Sequence, residues 1–278
     1  MQRRVFSPVW VACLAVSSFV LVFVSPLLRA QTPPPPQPEP VERQQDPSAA
    51  NLTEAQKAEM RGDIMIARKQ YADAIVQYEA ALAASPRNAV LLNKIGIACH
   101  QMMRLDDAKK HYERSIKADR TYAHAYNNLA TVFYSRKKYR QAIRNYRKAL
   151  ELKPETAAFH SNLGYAFFAQ KKYDEALVSF QRAVQLDPEI FERRSAFGSV
   201  LLDRSVADLP FFYFFLAKSY AMQGNAERCA HYLRKARDEG YKGMAAVPTD
   251  PAFAPVIKDP VIQEILNATP PATASTKL

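Results

Sequence analysis

The side chains that most often carry catalysis or bind metals are scattered along this 278-residue chain. No pair of histidines has the H-E-x-x-H spacing, and no pair of cysteines the C-x-x-C spacing, that directs two ligands at one metal ion. There is no G-x-S-x-G nucleophile elbow, and the 7 glycines form no G-x-G-x-x-G or G-x-x-x-x-G-K-[ST] phosphate loop. The sequence therefore predicts a non-catalytic protein with no metal site and no cofactor.

The overall composition favours helices over sheets. Glycine is rare against 19 prolines, hydrophobic residues make up 48% of the chain, and alternation of apolar and polar residues is uncommon. This composition argues against a large β-sandwich or barrel. The elements that position any functional side chain are therefore expected to be α-helices.

The first 50 residues differ in composition from the rest. Arg3 and Arg4 precede an uncharged stretch over 5–28, and the small Ala30 favours cleavage after it, so residues 1–30 are predicted to be an export signal. The uncharged stretch also approaches the ~20 residues that span a bilayer, and an uncleaved membrane anchor is the alternative. Residues 31–50 contain TPPPPQPEP and are predicted to form a stiff, proline-rich linker.

A 34-residue repeat organises the chain after this linker. Small and aromatic residues recur at that period in four columns: Ala74, Ala108, Ala142 and Ala176; Gly62, Gly96, Ala130 and Gly164; Tyr78, Tyr112, Tyr146 and Phe180; and Ala81, Ser115, Ala149 and Ala183. Small residues let two antiparallel helices approach, the aromatic ring fills the adjoining gap, and prolines 86, 154 and 188 end the second helix. A fixed period of this length predicts a stack of helix pairs.

This pattern resembles that of the tetratricopeptide repeat family, which has small residues, an aromatic residue and a proline at the same places. The matching units are 55–88, 89–122, 123–156 and 157–190, in a repeat region over 51–190, and a looser fifth unit fits 210–243. The resemblance implies an all-α fold, a right-handed α-solenoid of antiparallel helix pairs. Residues 191–209 fit neither helix of the unit and are predicted to be an insertion.

Both ends of the array carry their own signals. Thr53 and Gln56 have the spacing of a capping box, which predicts that the first helix begins after Thr53. Asp259-Pro260 predicts a helix start, followed by apolar residues at 261, 262, 265 and 266 on one face. Residues 244–267 are therefore predicted to cap the last repeat, and residues 268–278 to be disordered.

The cysteines and histidines have structural interpretations in this register. Cys99 and Cys229 fall at core positions several repeats apart. Stacked helices are ~8–10 Å apart and bridged Cα atoms lie within ~7 Å, so we expect two buried free thiols and no disulfide. His100 and His124 are expected to line the inner side of the stack as polar residues, with a metal site as the less favoured alternative.

In the tetratricopeptide family the first helix of each unit lines a concave groove, so the resemblance implies that a peptide or protein partner binds there. Amides both donate and accept, so the asparagines could hydrogen-bond an extended backbone, and aromatic rings could hold apolar side chains. The predicted partner-binding residues are Asn93, His124, Asn127, Asn128, Thr131, Tyr134, Asn162, Tyr165 and Phe168. Asn128 and Asn162 are expected to face solvent. The alternative is that these polar positions only keep the groove hydrated.

One ligand of the family is not expected here. Some members hold the two-carboxylate tail of heat-shock chaperones with Lys, Asn and Arg side chains of three consecutive units. The corresponding residues are Glu59, Asp63, Lys94, His124 and Asn128, or one unit later Asn93, Ile97, Asn128, Ala158 and Asn162. Neither set can neutralise two carboxylates, so the sequence predicts no ligand of this chaperone type.

The net charge of +11 is concentrated in the third unit, whose second helix has a basic face. With cations of the preceding unit it forms a predicted outer basic patch of Lys110, Arg114, Lys117, Arg140, Arg144, Arg147 and Lys148. The stripe lacks the interleaved aromatic residues of single-strand nucleic-acid sites, so nucleic acid is not an expected partner. The patch is predicted to be a solvated face or to bind an anionic surface, that of a membrane or of an acidic protein.

These features together predict an exported, periplasmic or secreted scaffold that binds a peptide or protein partner. The alternative is an assembly component of a cell-envelope complex, held at the membrane by an uncleaved N-terminal helix. An accessory region of an enzyme is disfavoured, because no separate domain of adequate size remains outside the repeats.

Overall fold

The computed structural model describes residues 52–192 and 208–268, which lie within one compact unit, Pro47–Leu278. Several predicted regions lie outside the described residues. They are the export signal or anchor at 1–30, the linker at 31–50, most of the insertion at 191–209 and all but the first residue of the tail at 268–278.

Residues 52–192 form eight helices in four successive pairs. The helices are α1 (Glu54–Ala67), α2 (Tyr71–Ala84), α3 (Ala89–Gln101), α4 (Leu105–Ala118), α5 (Ala123–Ser135), α6 (Tyr139–Leu152), α7 (Ala157–Ala169) and α8 (Tyr173–Leu186). Within each pair the helices pack along each other, and α2 packs on α3, α4 on α5 and α6 on α7. The described residues contain no strand. The predicted all-α stack of helix pairs is confirmed.

A fifth pair and a short terminal helix follow. The pair is α9 (Leu209–Ala221) and α10 (Ala226–Asp238), and 3-10 segments at Lys242–Thr249 and Pro251–Phe253 lead to α11 (Pro260–Asn267). The Asp259 side chain accepts from the Val261 N–H at the start of α11. Ile262 and Ile265 of α11 are buried, and α11 packs on α10. No helix in the two described ranges is both long and apolar enough to cross a bilayer.

The predicted capping box at the start of α1 is confirmed. The Thr53 N–H donates to Gln56 Oε1 at 2.8 Å, and the Gln56 N–H donates to Thr53 Oγ1 at 3.2 Å. Two backbone N–H groups that have no partner inside the helix are thereby satisfied, which fixes where the array of helices begins.

The repeated small residues allow an aromatic ring to lie against the first helix of a pair. A Cβ atom on Gly96 would stand 2.5 Å from Cε1 of Tyr112, which is far inside van der Waals contact. The same clash would arise between Gly62 and Tyr78 and between Gly164 and Phe180, both at 2.4 Å. The glycine and aromatic columns are therefore two halves of one packing contact.

The turn inside each pair has a common geometry. Residues with positive φ lie at Lys69 (61°), Met103 (59°), Lys137 (57°), Lys171 (60°) and Gly224 (72°). In the turn after α3 the Met103 N–H donates to His100 O and the Arg104 N–H donates to Cys99 O, both at 2.9 Å. These two bonds satisfy carbonyls at the end of the helix and form a Schellman motif.

Candidate functional site

The first helices of the pairs form one face of the stack, here called the inner face. Along this face α3 contacts α5, and α5 contacts α7. Side-chain bonds between neighbouring first helices join Lys94 to Glu59, Asn128 to Asn93 and Asn162 to Asn127. Each pair is separated by 35 residues, one period plus one. That spacing recurs in the sequence, but it identifies contacts only once the close approach of neighbouring first helices is known.

Four asparagines make a continuous chain of hydrogen bonds across α3, α5 and α7, here called the asparagine ladder. Asn162 Nδ2 donates to Asn127 Oδ1 at 2.9 Å, Asn127 Nδ2 donates to Asn128 Oδ1 at 3.1 Å, and Asn128 Nδ2 donates to Asn93 Oδ1 at 2.9 Å. Neighbouring first helices thus stand close enough for amides to satisfy one another.

The prediction that Asn162 faces solvent is wrong. Its side chain donates into the ladder and the residue is only 4% exposed. Asn93 and Asn127 are buried as well, and Asn128 is half-buried. The Oδ1 atom of Asn162 is buried and finds no hydrogen-bond partner among the described residues. Of the four predicted backbone-reading amides, only that of Asn128 remains partly accessible.

A cluster of ionised side chains ties the first two pairs together on the inner face. Lys94 Nζ lies 2.7 Å from Glu59 Oε1 and 2.8 Å from Asp63 Oδ1, and the Tyr78 hydroxyl also donates to Asp63 at 2.8 Å. Burial lowers the pKa of Lys94, but its bonds to Asp63 and Glu59 outweigh burial and leave that pKa raised. Lys94 is therefore charged and already paired.

Thr131 and Tyr134, both predicted to contact a partner, are instead buried in the protein. Thr131 Oγ1 donates to the Asn127 carbonyl at 3.1 Å and lies 3.0 Å from the Tyr146 hydroxyl. The Tyr134 ring packs beside Tyr139 with centroids 5.4 Å apart. Each is less than a tenth exposed, since both pack within the α5–α6 pair.

Tyr165 and Phe168 are also buried, and the reason is α9. The Tyr165 ring stacks on Phe212 with centroids 5.1 Å apart, and Phe168 meets Phe212 at 5.4 Å and Phe215 at 5.5 Å. The expectation that these two rings are free to hold side chains of a partner is wrong, because α9 already occupies them. The inner face is therefore covered at Tyr165 and Phe168 of α7.

The open part of the inner face therefore lies on α1, α3 and α5. Its residues are half-buried or exposed: Met60, Asp63, Lys94, Ile97, Gln101, His124, Asn128 and Ser135. They combine apolar, amide, hydroxyl and charged groups, so this surface could contact both the backbone and the side chains of a bound peptide.

The two inner-face histidines have lowered pKa values. His124 lies between Tyr122 and Phe159, with ring centroids 5.6 and 5.3 Å away, and its pKa is lowered by burial and by the charge of Lys153. His100 is 6% exposed, and its Nε2 atom has no hydrogen-bond partner within the described ranges. Burial lowers the pKa of His100 to about 4. In the described part of the chain no group of three or more metal-binding side chains is assembled.

Cys99 and Cys229, two of the three cysteines in the sequence, match the prediction of buried free thiols. Cys99 and Cys229 are both free and buried. Burial raises the pKa of both thiols, that of Cys229 to about 12. Neither is ionised near neutral pH, which leaves them as packing residues.

The seven residues of the outer basic patch are all half-buried or exposed. Lys148 pairs with Glu151 at 2.8 Å. Arg140, Arg144 and Arg147 line a groove of about 540 Å³, and Arg114 and Lys117 line another of about 460 Å³.

Comparisons with known proteins find one family. Two models described as tetratricopeptide repeat match residues 87–155 and 127–189. No curated protein sequence matches the chain.

Solved structures with a similar fold include tetratricopeptide repeat proteins. One is TTC0263 of Thermus thermophilus, at 16% identity and TM-score 0.48, covering 73% of this chain and 99% of that one. Another is YrrB, described as having an unusual peptide-binding site, at 18% identity and TM-score 0.45, covering 70% and 91%. A third is the first repeat domain of Spaghetti (RPAP3) bound to an HSP90 peptide, at 22% identity and TM-score 0.41, covering 42% and 94%.

Proposed function

Because the chain belongs to the tetratricopeptide repeat family, we propose that it is a non-catalytic scaffold that binds a peptide or protein partner on the open part of its inner face. The observation that carries this proposal is the asparagine ladder. It holds the half-buried Asn128 amide in a fixed orientation between α3 and the rest of α5. An amide fixed in advance loses less conformational entropy when it binds a ligand.

Asn128 has hydrogen-bonding capacity left for a partner. Its Nδ2 group uses one of two N–H donors on Asn93, and its Oδ1 atom uses one of two lone pairs on Asn127. The remaining donor and acceptor suit the C=O and N–H of one peptide unit. Gln101 and Ser135 flank this position with further polar groups, and Ile97 offers apolar surface.

The charge of the open inner face favours a partner segment that is neutral or basic. Glu59, Asp63 and Lys94 together carry one net negative charge, and Lys94 is held by both carboxylates. A tail with two carboxylates would therefore meet repulsion at α1 and, at α3, a lysine that is already paired. This agrees with the absence of the chaperone-tail clamp from the sequence.

Photo-crosslinking tests the proposed surface. A benzophenone amino acid is placed at Ser135, at the end of α5, or at Gln185, exposed on α8, and the exported protein is irradiated in its native cell fraction. Ser135 should crosslink to a partner and Gln185 should not. Crosslinking only from Gln185 would place the contact on the other side of the stack and contradict the proposal.

A pair of asparagine variants tests the amide itself. Asn128→Ala should weaken binding of the crosslinked partner about 2- to 10-fold, because a neutral hydrogen bond contributes ~0.5–1.5 kcal/mol. Asn145→Ala is the matched control: Asn145 is a half-buried asparagine on α6 whose side chain donates within its own helix, to the Gln141 carbonyl. Equal binding by both variants would show that Asn128 is not a contact.

The proposed place of action is outside the cytoplasm. This rests on the charge pattern of residues 1–30, where Arg3 and Arg4 precede an uncharged stretch. N-terminal sequencing of the exported protein tests it. A start at Gln31 supports a released form, whereas a start at Met1 in the membrane fraction supports the alternative, an anchored component of an envelope complex.

A further inference from the structure

A groove at the outer basic patch, here called the outer groove, is not used by the proposed inner-face function. It lies between α6 and the turn that joins α7 to α8, with a volume of about 540 Å³. One wall carries Arg140, Arg144 and Arg147 of α6, and Lys172 stands on the other. Among the described residues, no carboxylate lines this groove.

No carboxylate of the described residues neutralises the three arginines. Within 52–192 and 208–268 no carboxylate lies within ion-pair distance of Arg140, Arg144 or Arg147, whereas Arg136 pairs with Asp106 at 2.7 Å. Lys172 makes a long contact, 3.8 Å, with Glu175. The positive potential of this groove is therefore left for an external anion.

Apolar surface is recessed beneath the cations. Phe167 and Ile143 line the groove and are 4% and 7% exposed, while the arginines stand out in solvent. The Arg147 guanidinium lies 5.6 Å from the centroid of the Phe167 ring. A flat layer of lipid headgroups would reach the arginines but not these residues. A narrow chain could reach both.

The spacing of the charges fits an extended polypeptide. Arg140 and Arg144 are about 6 Å apart along α6, and Arg144 and Arg147 are about 4.5 Å apart, and these long, exposed side chains can spread to a somewhat wider spacing. In an extended chain every second side chain points to the same side, at intervals of about 7 Å. Carboxylates at alternate positions can thus meet the α6 wall, while the side chains between them point into the groove, toward Gln170 and the recessed edge of Phe167.

We propose that this outer groove binds an extended acidic segment of a partner protein, with carboxylates at alternate positions on Arg140, Arg144 and Arg147 and apolar side chains between them. A neighbouring groove of about 380 Å³ shares Arg140 and Gln170 and adds Lys137 and Lys138. It extends the cationic surface beyond the start of α6, so the segment can continue in that direction.

Fluorescence anisotropy with a defined probe tests this assignment. The probe is a fluorescein-labelled peptide, Ser-Glu-Leu-Glu-Leu-Glu-Ser, and its control has Gln in place of each Glu. Full-length protein should bind the acidic probe at least 10-fold more tightly than the control peptide, and added salt should weaken that binding because it screens the charges. Failure of the wild-type protein to bind the acidic probe would overturn the proposal.

Two double charge-reversal variants distinguish binding in the groove from non-specific electrostatic attraction to the basic protein. Arg140→Glu with Arg144→Glu should weaken probe binding at least 10-fold. Arg68→Glu with Arg120→Glu makes the same change in charge at two exposed positions outside the outer basic patch and should change probe binding less than 3-fold. Circular dichroism establishes that both variants are folded. An equal loss of probe binding in both variants would show non-specific electrostatic attraction and contradict the proposal that the groove is the binding site.

Vesicles of phosphatidylglycerol provide the competing occupant. If the groove binds a peptide, such vesicles should displace the probe only weakly. Any binding of the protein to vesicles should be reduced equally in both double variants. Vesicle binding that depends on Arg140 and Arg144 alone, with no binding of the peptide, would assign the groove to lipid and overturn the proposal. None of these outcomes bears on Asn128, so the two proposals stand or fall separately.

Discussion

At the scale of single residues, His100 shows how burial sets a titration. The imidazole lies in α3 with 6% exposure, and one ring nitrogen has no hydrogen-bond partner in the described part of the chain. Water is the better solvent for the charged ring, so burial lowers the pKa of His100 to about 4. The residue is neutral in the folded protein at physiological pH.

Stability should therefore fall with pH below neutrality. An unfolded histidine has a pKa of about 6.5, so between pH 6.5 and 4 the unfolded chain binds a proton that folded His100 does not. This contributes a loss in the free energy of unfolding of up to about 1.4 kcal/mol per pH unit. His100→Gln should flatten the pH profile in that range, measured by urea unfolding and normalised at pH 8. A slope identical to that of the wild type would contradict the burial of a neutral His100.

The residue scale also shows how far the sequence predicts the structure. The pairing of Gly96 with Tyr112 follows from the 34-residue columns, since only a residue without a Cβ leaves room for the ring. The burial of Asn162 does not follow, because the register gives the face of a helix but not how closely the next helix approaches. Its partner Asn127 lies one period plus one residue away, a spacing that becomes meaningful only once that approach is known.

At the scale of elements, the turn inside each pair depends on one left-handed residue. Glycine is the usual choice there, because a Cβ atom makes positive φ costly. This chain uses Lys69, Met103, Lys137 and Lys171 in the first four pairs and Gly224 in the fifth. No residue preference predicts a lysine with positive φ, so sequence reasoning missed these turns although their positions repeat.

Substitutions at these turns should shift stability in opposite directions. Lys69→Gly should raise the free energy of unfolding by about 1 kcal/mol, since it relieves the steric cost of positive φ at an exposed residue. Gly224→Ala should lower it by a similar amount; a Cβ there meets no neighbouring atom of the described residues, so the cost is one of backbone conformation alone. Chemical denaturation measures both. The same sign for the two variants would contradict a left-handed turn.

The insertion at residues 191–209 is the point beyond which the repeat period no longer predicts contacts between helices. Repeat arithmetic relates α7 to α5 because the period is unbroken, but residues 191–209 interrupt it before α9. The contact between α9 and the rings of Tyr165 and Phe168 therefore could not be predicted from the repeat period. As a result, two residues assigned to a partner proved to hold the protein's own fifth pair.

At the scale of the whole molecule, the described residues contain two large groups of buried apolar side chains. One runs from α1 to α5 and includes Ile95, and the other runs from α5 to α11 and includes Leu233. Both reach α5, where Phe133 packs against each of them. In a stack where each pair contacts only its neighbours, stability is approximately a sum of local and nearest-neighbour contributions.

Truncating a buried side chain in one of these groups should therefore destabilise mainly the helices that contribute to that group. Ile95 and Leu233 are both fully buried. Replacing either with alanine should lower the free energy of unfolding of the surrounding helices by about 2–5 kcal/mol. Hydrogen exchange read by mass spectrometry should show faster exchange in α1 to α4 for Ile95→Ala and in α8 to α11 for Leu233→Ala. The distant helices should keep most of their protection in each case, because they lose no contact of their own. Uniformly faster hydrogen exchange along the chain in both variants would contradict this prediction. It would mean that the stack unfolds as one cooperative unit, in which α5 couples the stability of one group fully to that of the other.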